Sequence, residues 1–242
     1  MTSPAREFAP GLVVQGFTPP LSLKDFGLIA FDMDSTLINI ECVDEIAAAA
    51  GRKEEVAAIT EAAMRGEIAD YKDSLRRRVA LLEGVSVQHM QQVYDQRLQL
   101  NPGAAELVAA CKAAGLKVLL VSGGFTFFTD AVRDRLQIDF TRSNVLELDG
   151  NRLTGRMVYQ PWGDICDGEE KRRMVLQTCA QLGITPAQAI AMGDGANDLP
   201  MMQACADAGG LSVAYHAKPR VREQAMVAIN HGGLDRLLEV LR

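Results

Sequence analysis

Short apolar runs that end in acidic residues, serine or glycine recur along this chain. Three runs show the arrangement: LIAF at 28–31 before Asp32, KVLLV at 117–121 before Ser122, and AIAM at 189–192 before Gly193. Continuous apolar runs of this length are typical of strands buried on both faces of a parallel sheet. The pattern therefore predicts buried parallel strands, each ending at polar or flexible residues.

Segments with helical periodicity separate these strands. Asn101 and Pro102 predict the start of a helix that ends at Gly115, and residues 169–182 form a second amphipathic stretch. Strands that alternate with helices predict an α/β fold with a doubly wound, mainly parallel, Rossmann-like sheet. Alternation across residues 145–158 around Asp149 and Gly150 predicts a small β-hairpin.

The region between Glu41 and about Gln99 has a different pattern, with successive helices interrupted near Gly51, Gly66 and Gly84. We predict a helical cap over residues 42–99, inserted after the first strand of an α/β core that comprises residues 25–41 and 100–242. Residues 1–24 contain four prolines among short apolar pieces, and we interpret them as an N-terminal arm.

Composition and charge narrow the expected partners. The net charge of −6 argues against a nucleic-acid surface and favours small solutes. Five widely spaced cysteines, with no C-x-x-C pair and no signal peptide, predict a cytoplasmic protein. No apolar run is long enough to span a membrane, and we expect no membrane partner. The sequence does not distinguish a monomer from a homodimer.

The predicted strand ends carry Asp32, Asp34, Ser122 and Asp194, and ligands of open α/β sheets bind outside such ends. Asp32 and Asp34 point to the same side if the chain stays extended, and a hard divalent cation such as Mg²⁺ would relieve their repulsion. Asp194 would supply a third acidic group. The structural alternative is that each aspartate caps a helix, which explains any one of them better than all three.

Two further features suit a phosphate group. Ser122, Gly123 and Gly124 precede a helical stretch over 125–136, so the serine hydroxyl and the backbone N–H groups would face an anion at a helix N-terminus. Lys171 lies in the first turn of a helix, where a cation opposes the helix dipole unless it reaches an anion. A plain serine cap and a solvated surface lysine are the structural alternatives.

Within the helical insertion, Arg78 shares an apolar helix face with Leu75 and Tyr71. An arginine there either aims its planar fork at a carboxylate or phosphate, or extends its head into water. Glu41 would begin the insertion and could bind an ammonium group, although its spacing alone favours a structural role at a helix N-terminus.

Four motifs give the chain a family resemblance: DMDST at 32–36, SGG at 122–124, Lys171, and GDGAND at 193–198. In this order they resemble the motifs of the haloacid dehalogenase-like superfamily, from about residue 27 to the C-terminus. DST followed by Glu41, together with SLRRRV at 74–79, resembles the phosphoserine phosphatase family. The resemblance implies Mg²⁺-dependent hydrolysis of O-phosphoserine, the last step of serine biosynthesis, through an aspartyl-phosphate.

The resemblance also implies roles for individual residues. Asp32 would be the nucleophile, and Asp34 the general acid and base. The metal ligands would be Asp32, the backbone carbonyl of Asp34, and Asp194. The implied ligands of the phosphoryl group are Ser122, Gly123, Lys171 and Asn197. Glu41 would bind the substrate ammonium and Arg78 its carboxylate. The implied supporting residues are Thr36, Tyr71 and Asp198.

Two alternatives stay open. One is a phosphatase or phosphotransferase of the same superfamily that acts on phosphohomoserine, phosphothreonine or another small phosphomonoester. The other is a phosphate-binding module that has lost catalysis. Retention of both Asp32 and Asp34 weighs against the second, since binding alone needs no acid-base group.

Overall fold

The apolar runs of the sequence form strands of a central sheet. The structure is a computed structural model that describes residues 4–64, 67–68 and 70–242. Its strands are β1 Arg6–Ala9, β2 Leu12–Val14, β3 Leu28–Phe31, β4 Lys117–Phe125, β5 Phe140–Asn144, β6 Leu146–Asp149, β7 Arg152–Met157, β8 Ala189–Gly193, β9 Leu211–Tyr215 and β10 Val227–Ile229. Its α-helices are α1 Cys42–Ala49, α2 Lys53–Met64, α3 Tyr71–Ala80, α4 Val87–Gln96, α5 Ala104–Ala113, α6 Thr126–Leu136, α7 Gly168–Leu182, α8 Leu199–Ala208 and α9 Pro219–Gln224.

Eight of these strands form one sheet in the order β1-β2-β10-β9-β8-β3-β4-β5. The strands from β10 to β5 run parallel to their neighbours, whereas β1 and β2 pair antiparallel at one edge. The predicted doubly wound, mainly parallel α/β fold is thereby confirmed. Strands β6 and β7 form the predicted hairpin, in which Asp149 pairs with Arg152.

Burial on both faces explains why the central strand β3 is apolar throughout. Ile29 and Phe31 pack into one hydrophobic cluster, which includes side chains of α5 and α6. Leu28 and Ala30 pack into a second cluster, which includes side chains of α7 and α8. Because successive strand residues point to opposite faces, helices on both sides of the sheet require an unbroken apolar run.

The N-terminal segment contributes to the sheet. Strands β1 and β2 lie within the predicted arm, and β2 pairs with β10 through Val14 and Val227. The strand that the sequence analysis places first is consequently the third in the chain. Whether residues 1–24 act as a separate arm stays a prediction.

Helices α1 to α4 occupy the chain between β3 and β4, and the division into cap and core stays a prediction. Gly51 and Gly84 follow helical segments with φ angles of 75° and 80°, a conformation that favours glycine. Gly66 lies outside the described residues. The hairpin contacts this helical region through backbone hydrogen bonds from Gly84 N to Leu153 O and from Leu153 N to Val85 O, both 2.8 Å long.

The predicted start of a helix at Asn101 is wrong. Helix α5 begins at Ala104, with Gly103 as its N-cap. The Asn101 side chain instead donates hydrogen bonds of 2.8 and 3.0 Å to the carbonyls of Thr36 and Ile38, so it holds the turn that follows β3. Helix α7 agrees with the predicted stretch over 169–182. Among the described helices, none combines the length and apolar character needed to cross a membrane.

Candidate active site

The carboxyl ends of β3, β4 and β8 meet at one edge of the sheet, because β3 lies between the other two and parallel to both. Asp32 follows β3, Ser122 lies near the end of β4, and Asp194 follows β8. A cavity of about 690 Å³ opens there. Its walls include these predicted residues: Asp32, Asp34, Glu41, Tyr71, Arg78, Ser122, Gly123, Asp194 and Asn197.

Lys171 lies beneath the cavity, fully buried, and makes two short contacts with carboxylates. Its Nζ atom is 2.5 Å from Asp32 Oδ1 and 2.6 Å from Asp198 Oδ1. Burial by itself would lower the pKa of Lys171, but Asp198 and Asp32 raise it well above its usual range. The lysine is therefore a buried cation, and the surface-lysine interpretation of the sequence is wrong.

Asp198 is held in place by the loop that follows β8. Its Oδ2 accepts hydrogen bonds from the backbone N–H groups of Asp194 and Gly195, at 3.1 and 3.0 Å. A Cβ atom on Gly193 would lie 2.4 Å from the Asp198 carboxylate, so only glycine allows this approach. With Oδ1 bonded to Lys171, both oxygens of Asp198 have partners.

Three carboxylates form an acidic cluster, since oxygens of Asp32, Asp194 and Asp198 lie within 4.8 Å of one another. Burial, followed by the charge of Asp198, raises the pKa of Asp194 to about 7. Thr36 donates a hydrogen bond of 3.3 Å to Asp194 Oδ1. Because the oxygens of Asp198 are engaged, Asp32 and Asp194 are the carboxylates best placed to bind a cation, and their hard oxygen atoms suit a divalent metal.

The carboxylate of Asp34 lies outside this acidic cluster and faces the start of α1. Its Oδ2 accepts a hydrogen bond of 2.9 Å from the Cys42 backbone, and its Oδ1 accepts one of 3.1 Å from the Cys42 thiol. Burial and then the charge of Glu41 raise the pKa of Asp34 to about 7. A carboxyl group with such a pKa can both donate and accept a proton near neutral pH.

The segment from Ser122 to Gly124 belongs to β4, which extends to Phe125 before α6 begins at Thr126. Ser122 is thus not the residue that begins the helix, in contrast to the serine-cap alternative. Its Oγ accepts a hydrogen bond of 2.8 Å from Gly124 N, which leaves the hydroxyl proton free to donate. A Cβ atom on Gly123 would lie 2.1 Å from the Tyr71 hydroxyl, so the glycine allows the helical region to approach the sheet.

The helical region supplies the opposite wall of the cavity. Glu41 is the N-cap of α1, is exposed, and accepts a hydrogen bond of 2.7 Å from the Ser35 hydroxyl. Arg78 reaches the cavity from α3, and its buried Nε atom has no hydrogen-bond partner among the residues that the structure describes. A buried guanidinium N–H without a partner is costly, and an anionic ligand in the cavity would satisfy it.

Ion pairs join the helical region to the segment that leads into α7. Arg76 lies 2.5 Å from Asp164, and Lys72 lies 3.2 Å from Asp167. Asp167 also caps α7 by accepting a hydrogen bond of 2.9 Å from Glu170 N. These pairs connect the two walls beside the cavity.

Sequence reasoning missed three residues that the fold brings to this site. Cys42 bonds Asp34, and Asp44 and Lys218 line the cavity. In the described part of the chain, the buried Oδ1 of Asp44 has no hydrogen-bond partner. The signal for Asp44 was its position one helical turn after Glu41, and Lys218 follows the apolar run of β9. No sequence pattern singled out Cys42.

The sequence around this site matches a known protein family. The family model for haloacid dehalogenase-like hydrolases matches residues 29–203, which contain the nucleophile candidate and the acidic cluster. The chain belongs to the haloacid dehalogenase-like hydrolases. The resemblance read from the four motifs is confirmed, and so is the expectation of an enzyme.

Two relatives with high sequence identity to this haloacid dehalogenase-like hydrolase are both named phosphoserine phosphatase. A phosphoserine phosphatase from Polaromonas sp. (strain JS666) is 78% identical, with 98% of both chains covered. One from Albidiferax ferrireducens is 74% identical, with 97% of both chains covered. A solved phosphoserine phosphatase structure, described as a phospho-aspartyl intermediate analogue, superposes with a TM-score of 0.80 at 34% identity, covering 90% of this chain and 99% of its own.

Proposed function

We propose that this protein is a phosphoserine phosphatase, which hydrolyses O-phosphoserine to serine and phosphate. The main structural support for this proposal is the buried contact between Lys171 and Asp32 at the base of the cavity. An ammonium group fixed 2.5 Å from a carboxylate oxygen orients that oxygen and offers positive charge to an incoming phosphoryl group. The high identity to named phosphoserine phosphatases supports the same activity.

The first half of the proposed reaction forms a covalent intermediate. A carboxylate oxygen of Asp32 attacks phosphorus, the bond from phosphorus to the serine oxygen breaks, and Asp34 donates a proton to that oxygen. Serine leaves, and an aspartyl-phosphate remains on Asp32. In the second half Asp34 takes a proton from water, which attacks the phosphoryl group and releases phosphate while Asp32 is regenerated.

Residues around the phosphoryl group would stabilise its charge. The Ser122 hydroxyl, the Gly123 N–H, Asn197 and Lys171 supply donors to its oxygens, and all except Lys171 line the cavity. We propose Mg²⁺ as cofactor, held by Asp32, Asp194 and the backbone carbonyl of Asp34. When bound, the metal would neutralise negative charge on the phosphoryl oxygens and on the acidic cluster.

The opposite wall would recognise the amino-acid part of the substrate. We assign the substrate carboxylate to Arg78, because its buried Nε atom has no partner within the described residues. The ammonium group is assigned to Glu41, whose carboxylate stands at the cavity rim. Residues 42–99 would then act as a cap that excludes bulk water during the reaction, and Tyr71 would contact the phosphate-binding segment at Gly123.

The proposed context is the last step of serine biosynthesis in the cytoplasm. All five cysteines are free and buried, which suits a reducing compartment. We expect a small phosphomonoester as the sole reaction partner besides water, with neither nucleic acid nor membrane involved.

A substrate panel tests the proposed function. The purified protein with Mg²⁺ would be assayed for phosphate release from phosphoserine, phosphothreonine, phosphohomoserine and a hexose phosphate, with and without an added alcohol acceptor. We expect phosphoserine to give the highest kcat/KM. A clear preference for the sugar phosphate, or a preference for transfer to the alcohol over water, would contradict the assignment, and no phosphate release from any substrate would indicate a binding module.

A further inference from the structure

Both carboxylate oxygens of Asp34 accept hydrogen bonds from one residue, Cys42. The backbone N–H bonds Oδ2 at 2.9 Å, and the thiol bonds Oδ1 at 3.1 Å. Cys42 is fully buried and is the first residue of α1. The proposed reaction assigns this thiol no task, although it contacts the group that moves the proton.

Asp34 Oδ1, which the thiol contacts, also faces the segment from Ser122 to Gly124 that is proposed to bind the phosphoryl group. A Cβ atom on Gly124 would lie 3.3 Å from Asp34 Oδ1, and Asp34 lines the cavity. A carboxyl oxygen can interact in two lone-pair directions. Oδ1 can therefore accept a hydrogen bond from the Cys42 thiol on one side and face the substrate on the other. The thiol therefore restricts rotation of the carboxyl group about its last side-chain bond.

We propose that Cys42 is a positioning residue for the proton transfer, whose S–H group holds Asp34 Oδ1 in the orientation that protonates the leaving oxygen. The proposal rests on the proposed function, in which Asp34 is the general acid. The thiol donates a hydrogen bond and is not consumed. Because the backbone N–H of any residue other than proline at position 42 would still bond Oδ2, the side chain alone decides the second contact.

Leaving groups that differ in their need for a proton separate this role from packing. The alkoxides of phosphoserine and ethyl phosphate leave only if protonated, whereas 4-nitrophenolate leaves without a proton. The value of kcat/KM reports steps up to formation of the aspartyl-phosphate, so the three substrates compare the proton transfer directly. For Cys42→Ala we expect kcat/KM for both alkyl phosphates to fall by about ten-fold relative to 4-nitrophenyl phosphate.

Matched variants complete the experiment. Cys42→Ser retains a donor and should restore most of the ratio between alkyl and aryl substrates. Cys111→Ala removes an equally buried thiol from α5, far from Asp34 in the sequence, and should leave the ratio unchanged. If Cys42→Ala does not fold, Cys42→Val takes its place, since it fills the position with a somewhat larger apolar side chain that has no donor.

Equal losses on all three substrates would overturn the inference, because the thiol would then act through packing alone. Wild-type kcat/KM on all three substrates in Cys42→Ala would overturn it as well. Failure of the proposed function has a different signature, since the wild-type protein would then not hydrolyse phosphoserine. The inference about Cys42 alone fails if the wild type hydrolyses phosphoserine, Asp34→Asn does not, and Cys42→Ala keeps the wild-type ratio of kcat/KM between alkyl and aryl phosphates.

Discussion

Lys171 Nζ lies 2.5 Å from Asp32 Oδ1, although the two residues belong to different elements and both side chains are buried. The ammonium group also binds Asp198, so one cation compensates two carboxylates. Buried charges persist in proteins only when they are paired and hydrogen-bonded. This arrangement therefore combines a structural requirement with the orientation of the proposed nucleophile.

Asp32→Asn should abolish turnover and leave the fold intact. The amide has nearly the same size as the carboxylate but cannot attack phosphorus, and Lys171 keeps its bond to Asp198. We expect phosphate release from phosphoserine to fall by roughly 10⁴-fold or more. Thermal unfolding followed by circular dichroism is the control for folding. Wild-type activity in this variant would exclude Asp32 as the nucleophile.

Arg78→Ala should impair phosphoserine hydrolysis more than hydrolysis of 4-nitrophenyl phosphate, which has no carboxylate. Loss of a charge-assisted hydrogen bond costs about 1.5–3 kcal/mol, so the ratio of the two kcat/KM values should fall about 10- to 150-fold. Arg77→Ala is the matched control, because Arg77 lies exposed on the same helix and pairs with Asp73. Equal losses on both substrates would argue against carboxylate recognition by Arg78.

Lys171→Met should destabilise the fold, because it leaves Asp32 and Asp198 buried without a cation. Breaking a buried pair costs about 3–5 kcal/mol of unfolding free energy, measurable by urea denaturation. The loss should shrink as the pH falls, because burial raises the pKa of Asp32 above its usual value and its protonated carboxyl group needs no cation. Lys117→Met removes an exposed lysine that pairs with Asp139 at 2.8 Å, and its expected cost is below about 1 kcal/mol. Similar costs for both variants would contradict the structural role of Lys171.

Mg²⁺ should raise the thermal stability of the protein as well as support its activity. At a concentration of about 100 times its Kd, a bound ligand stabilises the native state by about 2.7 kcal/mol. We expect Asp194→Asn to lose most of the Mg²⁺-dependent rise in Tm, whereas exposed Asp25→Asn, at the opposite end of β3, should keep it. Full activity in the presence of excess chelator would contradict the metal proposal.

The sequence alone was sufficient to predict the sheet core and the positions of the acidic residues. Runs such as residues 28–31 are apolar because both faces of β3 are buried, and the residues that follow them lie at strand ends wherever the strands are placed. These are local consequences of the chain, so the sequence predicts Asp32, Ser122 and Asp194 at one edge of a parallel sheet without information on which strands pair. The motif order then indicated the family.

Only the tertiary structure decided which of these groups touch. Burial of Lys171, the orientation of the Asp34 carboxylate toward Cys42, and the burial of Arg78 Nε away from any partner in the described residues depend on how α7, α1 and α3 pack against the sheet. Pairing of β2 with β10, near opposite ends of the chain, is equally non-local. Periodicity determines which face of an element is apolar, but contacts between side chains distant in sequence arise from packing. The pairing of the buried lysine with two carboxylates is such a contact, and only the folded chain shows it.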